Sequence, residues 1–260
     1  MNKKILTLPK KKIGEGHPCF IVAEMSGNHK QDIGRAYALI DAAAEAGVDA
    51  VKLQTYTADT ITIDCDNKYF QIGGTTTWTG QTLYELYKTA YTPWEWQPKL
   101  KVYGEKKGLV VFSSPFDTTA VDFLENMNVS LYKIASYETR ALELLKRIGQ
   151  TKKPVIISRG LALSSTKNMN IAINTLKKHG TAAIAVLHCV NSYPATLSQM
   201  NIAMVADILK RFKVVAGLSD HSLGITAATT AVALGAKIIE KHFTLKRSDG
   251  GPDHAFSLEP

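Results

Sequence analysis

Val214-Val-Ala-Gly-Leu-Ser-Asp-His221 and Ile238-Ile-Glu-Lys-His-Phe243 repeat one pattern. Each is a short apolar run that closes on a histidine, and a segment of about helix length separates the two. Side chains alternate faces along a β-strand. Ser219 and His221 therefore share one face of the first run, and Glu240 and His242 share one face of the second. Parallel neighbours lie about 5 Å apart, so two such strands side by side would offer both imidazoles to one metal ion, with a hydroxyl and a carboxylate one step below. A single histidine at a strand end is usually no more than a polar strand end. Two in matching places, each with a polar residue two positions earlier, read as the floor of an active site.

The unit recurs upstream. Strands are predicted at 20–25, 49–54, 109–114, 131–136, 154–158 and 184–189, in addition to 214–220 and 238–243. Asp32 is placed to cap a helix running to Glu45, with Ala36, Leu39, Ile40 and Ala43 on one face and Gly47 at its end. Further helices are predicted over 93–107, 118–126, 140–150, 164–178, 197–211 and 223–234. Near-continuous apolar strands alternating with helices are the signature of a parallel sheet buried on both faces. Eight such units predict an α/β fold of the (β/α)8 TIM-barrel type, with an open doubly wound sheet as the alternative. The absence of a glycine-rich dinucleotide fingerprint or a P-loop counts against a nucleotide-binding sheet.

The 260 residues fit a single domain, because a barrel of this kind takes about 250. Residues 3–18 are predicted to form an N-terminal hairpin cap, and 244–260, rich in Gly and Pro, a C-terminal loop. The last segment leaves no sequence for an eighth barrel helix, so Ile239 and Phe243 are expected to lack cover and the isolated chain to be marginally stable. The connection 56–92 is far longer than the usual ~2–6 residues. It carries Tyr69, Phe70, Trp78, Tyr84, Tyr87 and Tyr91, and reads as a lid or substrate wall.

The net charge of +8 is spread over several short lysine clusters. A nucleic-acid footprint would be a stripe with interleaved aromatics, so the charge reads as a solvated face that also attracts anions. No run reaches the ~18 apolar residues of a membrane span. No secretory leader is recognisable, and the expected compartment is the cytoplasm. Cys19, Cys65 and Cys189 are far apart and are read as reduced thiols.

Nearly every predicted strand ends in a residue able to do chemistry: Glu24; Lys52 and Gln54; Ser113 and Ser114; Lys133 and Ser136; Ser158; then His188, Asn191 and Tyr193. Barrel active sites sit at this end. Lys52 and Lys133 are embedded in apolar strands, where a lysine is rare without a counter-charge. They read as partners of Glu24 or Glu240, as a Schiff-base lysine, or as an anion cradle. The nearby serines favour the cradle, with phosphate as its tenant.

With these residues placed, the chain from about Gly16 to Pro260 resembles the sialic acid synthase family of phosphoenolpyruvate-condensing nonulosonic acid synthases. The stretches that carry the resemblance are Phe20-Ile-Val-Ala-Glu-Met-Ser-Gly-Asn-His29, Val51-Lys-Leu-Gln-Thr55, Tyr91-Thr-Pro-Trp-Glu-Trp96, Phe112-Ser-Ser-Pro-Phe-Asp117, Tyr132-Lys-Ile-Ala-Ser136, Gly217-Leu-Ser-Asp-His221, Glu240-Lys-His-Phe-Thr244 and Gly251-Pro-Asp253. Three stretches, 24–29, 52–65 and 82–87, are similar to the branch that makes pseudaminic acid.

The resemblance implies roles for particular residues. His221 and His242 match the ligands of a divalent metal, manganese with magnesium or cobalt as substitutes. Lys52, Lys133, Ser136, Ser158, Asn191 and Ser219 match contacts to phosphoenolpyruvate. Glu24, Glu240 and Glu138 match catalytic positions, and Gln54, Tyr193, Asp253 and Phe256 match positions around an acetamido sugar. The resemblance also implies a homodimer completed by a C-terminal antifreeze-like domain, which these 260 residues do not include. One departure stands out: the family's Ser-Thr-Gly after the fifth barrel strand is Ser158-Arg159-Gly160 here, and an arginine there would crowd or strengthen the phosphate site. Three other readings remain: a synthase using N-acetylmannosamine, a metal-free Schiff-base aldolase, and an inactive sugar-binding paralogue.

Overall fold

A computed structural model describes residues 5–74, 78–160 and 165–260. The expected starts of the hairpin at Lys3 and of a helix at Ser164 lie outside these residues. Strands β1 (Ile5–Thr7) and β2 (Lys12–Gly14) form an antiparallel pair. Eight parallel strands then close a barrel: β3 (Phe20–Glu24), β4 (Ala50–Thr55), β5 (Val110–Pro115), β6 (Tyr132–Ile134), β7 (Val155–Arg159), β8 (Ile184–Cys189), β9 (Val215–Asp220) and β10 (Ile238–His242). β10 pairs with both β9 and β3, so the sheet has no free edge. All eight expected strands are present, their bounds trimmed or shifted by at most two residues.

The helices are α1 (Ile33–Glu45), α2 (Ala58–Ile61), α3 (Leu83–Ala90), α4 (Gln97–Lys106), α5 (Thr118–Asn126), α6 (Leu142–Gln150), α7 (Thr166–Lys178), α8 (Met204–Phe212) and α9 (Thr226–Ala233). α1 shows why these elements form. The Asp32 carboxylate accepts from the Gly34 amide at 2.7 Å, satisfying an otherwise orphaned N-terminal donor. The four apolar residues spaced for one face, Ala36, Leu39, Ile40 and Ala43, are all buried. Gly47 follows with φ +78°, a conformation that favours glycine. α1 and α4 to α9 follow successive barrel strands, and among the described residues no α-helix follows β10, only the 3-10 turns Arg247–Asp249 and His254–Phe256. No helix among them is long and apolar enough to cross a membrane.

Two expectations need correction. The helix expected over 197–211 forms only from Met204, because a short 3-10 turn at Leu197–Gln199 precedes it. The flank beside β10 is also better covered than the missing helix suggested: Ile239 is 5% exposed and Phe243 7%. The terminal segment folds back, with the Leu258 amide donating to the His242 carbonyl at 2.8 Å and the Thr244 amide to the Leu258 carbonyl at 2.9 Å. Asn28 pins this return by donating to the Phe243 carbonyl and to Ser257 Oγ, each at 2.9 Å. Phe243 then packs in the cluster of Ala23, Met25 and Leu53, and Ile239 in that of Leu218, Ala227 and Ala231.

The barrel interior divides by height. Towards the strand N-termini it is apolar, with Phe20, Val22, Phe112, Leu131, Ile156, Leu187 and Val215 in one cluster. Leu6, Leu8 and Ile13 of the hairpin belong to the same cluster and plug that end. Towards the strand C-termini the inward positions turn polar.

Candidate active site

Four buried charges form the floor. Lys52 pairs with Glu24, and its Nζ lies 4.0 Å from Glu240 Oε2. Lys133 Nζ lies 3.3 Å from Glu240 Oε1. All four residues are 5% exposed or less, so each charge depends on its partner. Burial resists ionisation of Glu240, yet Lys133 and Lys52 bring its carboxyl down to about 2. Burial likewise works against the Lys52 ammonium, but Glu24 and Glu240 lift its pKa above the ordinary value. Ser219 Oγ donates to Glu240 Oε1 at 2.9 Å. Glu24 Oε1 accepts from Gln54 Nε2 at 2.9 Å and from the Ser26 amide at 3.1 Å.

Above this floor stand the histidines, with ring centroids 5.4 Å apart. Burial, helped by the neighbouring His242, lowers the His221 pKa to about 3, so its imidazole is neutral at physiological pH. His221 Nδ1 lies 2.8 Å from the Val190 carbonyl. That contact requires the proton on Nδ1 and leaves Nε2 with a free lone pair. His242 Nδ1 is 3.4 Å from Asp253 Oδ2 and completes no hydrogen bond among the described residues. Two imidazoles beside carboxylates fit a divalent cation. Among the described residues no cluster of three or more His, Cys, Asp or Glu side chains could hold a metal ion, so water or substrate would fill the remaining positions.

A second cluster lies at the ends of β6, β7 and β8. Asn191 Nδ2 donates to Ser136 Oγ at 2.9 Å. A Cβ on Gly160 would come within 2.0 Å of Asn191 Oδ1 and 2.7 Å of Ser136 Cβ, so only glycine brings the backbone this close. Ser158 Oγ is buried with no hydrogen-bond partner among the described residues. An unpartnered hydroxyl beside a glycine-lined approach suits an anionic oxygen. Glu138, on the turn after β6, has one oxygen with no hydrogen-bond partner among the described residues, and burial raises its pKa to about 6.

The outer wall is aromatic. The Tyr193 ring lies 4.3 Å from that of His221 and 5.2 Å from that of Phe256, which is itself 5.0 Å from His242. Trp78 reaches over from the long connection, 6.0 Å from Tyr193, and donates from Nε1 to the Pro252 carbonyl at 2.6 Å. That connection is thus a wall of the site, with α2 and α3 giving it structure.

The floor, the histidine pair and the wall bring together Glu24, Lys52, Gln54, Lys133, Tyr193, Ser219, Glu240, Asp253 and Phe256 with the two histidines. Ser136, Ser158 and Asn191 line the adjacent cluster. Three strand-end residues point elsewhere. Arg159 faces α8, its Nη1 3.3 Å from Asp207 Oδ2, and neither crowds nor strengthens the anion cluster. His188 Nε2 meets the Met200 carbonyl at 2.6 Å. Ser113 Oγ meets Thr55 Oγ1 at 2.6 Å on the outer face. Sequence reasoning missed Ser26, Gly160 and Cys189. Cys189 Sγ lies 3.9 Å from His221 Nδ1, and burial pushes its thiol up to about 12. The period-2 count along β8 places it inward.

Residues 39–260 match the model of the NeuB family. The chain is 40% identical to the pseudaminic acid synthase of Helicobacter pylori over 93% of its own length and 70% of that protein's. It is 35% identical to the N,N'-diacetyllegionaminic acid synthase of Legionella pneumophila, covering 95% of this chain and 70% of the relative. Its fold superposes on the crystal structure of N-acetylneuraminic acid synthetase from Leptospira borgpetersenii with a TM-score of 0.88, at 33% identity, covering 99% of this chain and 84% of the other.

Proposed function

Because this chain belongs to the NeuB family, we propose that it condenses phosphoenolpyruvate with an open-chain acetamido sugar to give a nonulosonic acid and phosphate. The sugar we favour is a diacetamido trideoxyhexose, making the product pseudaminic acid, in line with the 40% identity to a synthase of that name against 35% for a legionaminic one. The observation that carries the reading is the histidine pair standing directly over two interlocked lysine–carboxylate pairs.

Lys52 and Lys133 hold the phosphate and carboxylate of phosphoenolpyruvate, with Ser158, Ser219 and the Ser136–Asn191 pair around them. A divalent cation on His221 and His242, manganese or magnesium, would polarise the sugar aldehyde and orient it. The methylene carbon of phosphoenolpyruvate attacks that aldehyde, and positive charge develops on the phosphate-bearing carbon. Glu240, kept ionised by the two lysines, stabilises that charge. Glu24, fixed by Gln54 and Ser26, takes the proton of the water that adds there. Phosphate then leaves with the enol oxygen. Glu138, with its pKa near 6, is suited to pass a proton to the sugar side at neutral pH. Gln54, Tyr193, Asp253 and Phe256 line the sugar's position.

A second reading, condensation with N-acetylmannosamine, is supported by the fold match to an N-acetylneuraminic acid synthetase. A Schiff-base lysine fits poorly, because it needs a neutral amine and both lysines are engaged by carboxylates. The test is phosphate release from phosphoenolpyruvate with manganese across a panel of amino sugars. The diacetamido trideoxyhexose of altro configuration should give the highest kcat/KM. Release that ignores the sugar, or none with any sugar, contradicts the proposal.

A further inference from the structure

Outside the barrel wall, on the rung just below the histidines, lies a second buried ion pair that the chemistry above does not use. Along β9 and β10, Ser219 and Glu240 point inward, so Asp220 and Lys241 point outward. They are opposite each other in the parallel ladder, and Lys241 Nζ sits 2.8 Å from Asp220 Oδ2. The Asp220 side chain is 0% exposed and that of Lys241 7%. The other oxygen, Asp220 Oδ1, accepts from the Ser222 amide at 2.8 Å and from Ser222 Oγ at 2.7 Å. Lys241 Nζ also donates to the Ser222 carbonyl at 2.5 Å.

The connectivity gives this pair its meaning. One ammonium, on the residue before His242, grips the residues on both sides of His221. The Ala195 amide donates to the His221 carbonyl at 3.0 Å and completes the tether. A buried ion pair is a poor source of net stability, because desolvation offsets the attraction; its best-attested use is to fix register.

We propose that Asp220 and Lys241 are positioning residues that set the spacing and rotation of His221 against His242, so that the two imidazoles present a preformed divalent-cation site. The inference rests on the reading of that histidine pair as a cation site. The pair touches neither cation nor substrate. It acts by removing the freedom of two strand ends whose histidines must converge within a fraction of an ångström.

The test is Mn2+ affinity, read from the free-ion electron paramagnetic resonance signal without turnover. Phosphoenolpyruvate affinity by calorimetry and the melting temperature are measured alongside. Asp220→Leu/Lys241→Met replaces the pair by apolar side chains and leaves the local net charge unchanged. Lys241→Gln removes one positive charge near the cation, which by electrostatics alone would tighten Mn2+ binding. The expected result is weaker Mn2+ binding in both variants, by about tenfold or more, with phosphoenolpyruvate affinity retained. Wild-type affinity in the double variant, or tighter binding in Lys241→Gln, overturns the inference. Loss of fold in both variants assigns the pair to stability alone and also overturns it. If the wild-type protein itself binds no Mn2+, the cation reading of the histidines fails first, a separate outcome.

Discussion

The two ends of one barrel do different work with the same eight strands. At the strand N-termini the interior is filled by Phe20, Val22, Phe112, Leu131 and Ile156 and sealed by Leu6, Leu8 and Ile13. At the strand C-termini the inward positions carry Glu24, Lys52, Lys133, Glu240 and two histidines, nearly all as deeply buried as the apolar layer. Apolar burial is favourable wherever shapes fit, whereas buried charge persists only with a partner for each group. The lower end therefore stabilises the barrel. The upper end is bought with that stability and holds a preorganised electrostatic site.

If this division is right, substitutions at the two ends should separate stability from chemistry. The largest effect is expected from His221→Ala or His242→Ala. Condensation should fall by at least about three orders of magnitude, and bound Mn2+ by metal analysis should fall with it. Circular dichroism should show the fold retained. Full metal occupancy in either variant would remove the two-histidine site from the account.

Next come Lys52→Met and Lys133→Met. Losing a charge-assisted bond to an anion weakens binding by about 1.5–3 kcal/mol, or roughly tenfold or more. Calorimetry should show this for phosphoenolpyruvate and much less for the sugar. Each variant also strands Glu24 or Glu240 without its nearest cation, so melting temperature should fall as well. Lower-end variants invert the pattern. Leu6→Ala should destabilise by about 2–5 kcal/mol, seen as a lower denaturation midpoint, while both KM values stay put.

The smallest effects concern pH, and they have opposite signs. Glu240 sits at about 2 against an ordinary 4.5. Its contribution to stability is complete above pH 4.5 and is lost as pH falls from there towards 2. Glu138 is raised from 4.5 to about 6, so its ionisation opposes folding. Wild type should lose about 2 kcal/mol relative to Glu138→Gln as pH rises from 4.5 through 6. Denaturant midpoints at pH 4, 5, 6 and 7 (roughly spanning that titration) would show a flat difference if Glu138 is not perturbed.

Much of this was legible in the sequence because parallel strands advertise themselves twice, by apolar runs and by the helices between them. Strand parity then placed Lys52, Lys133, Ser219, Glu240 and both histidines on the inside. The same parity puts Arg159 outside, since Ser158 is inside; the departure from the family pattern concerns α8 and not the anion cluster. What was not legible depends on long-range pairing. The return of Leu258 onto Phe243 rests on Asn28, more than 200 residues away in sequence, and it covers a flank that counting helices had left open. The Asp220–Lys241 contact needed the ladder register itself. Glycine at 160 matters only because Ser136 and Asn191, from two other strand ends, converge on it.

The most direct measurement follows the enol oxygen. Phosphoenolpyruvate labelled with heavy oxygen at the carbon–oxygen–phosphorus bridge is mixed with the diacetamido sugar, Mn2+ and the protein, and the released phosphate is weighed by mass spectrometry. Carbon–carbon bond formation at the upper end of the barrel, with water adding to the phosphate-bearing carbon, predicts that phosphate carries the label. It also predicts that release requires both sugar and metal. Unlabelled phosphate, or release that persists in His221→Ala, would contradict the account.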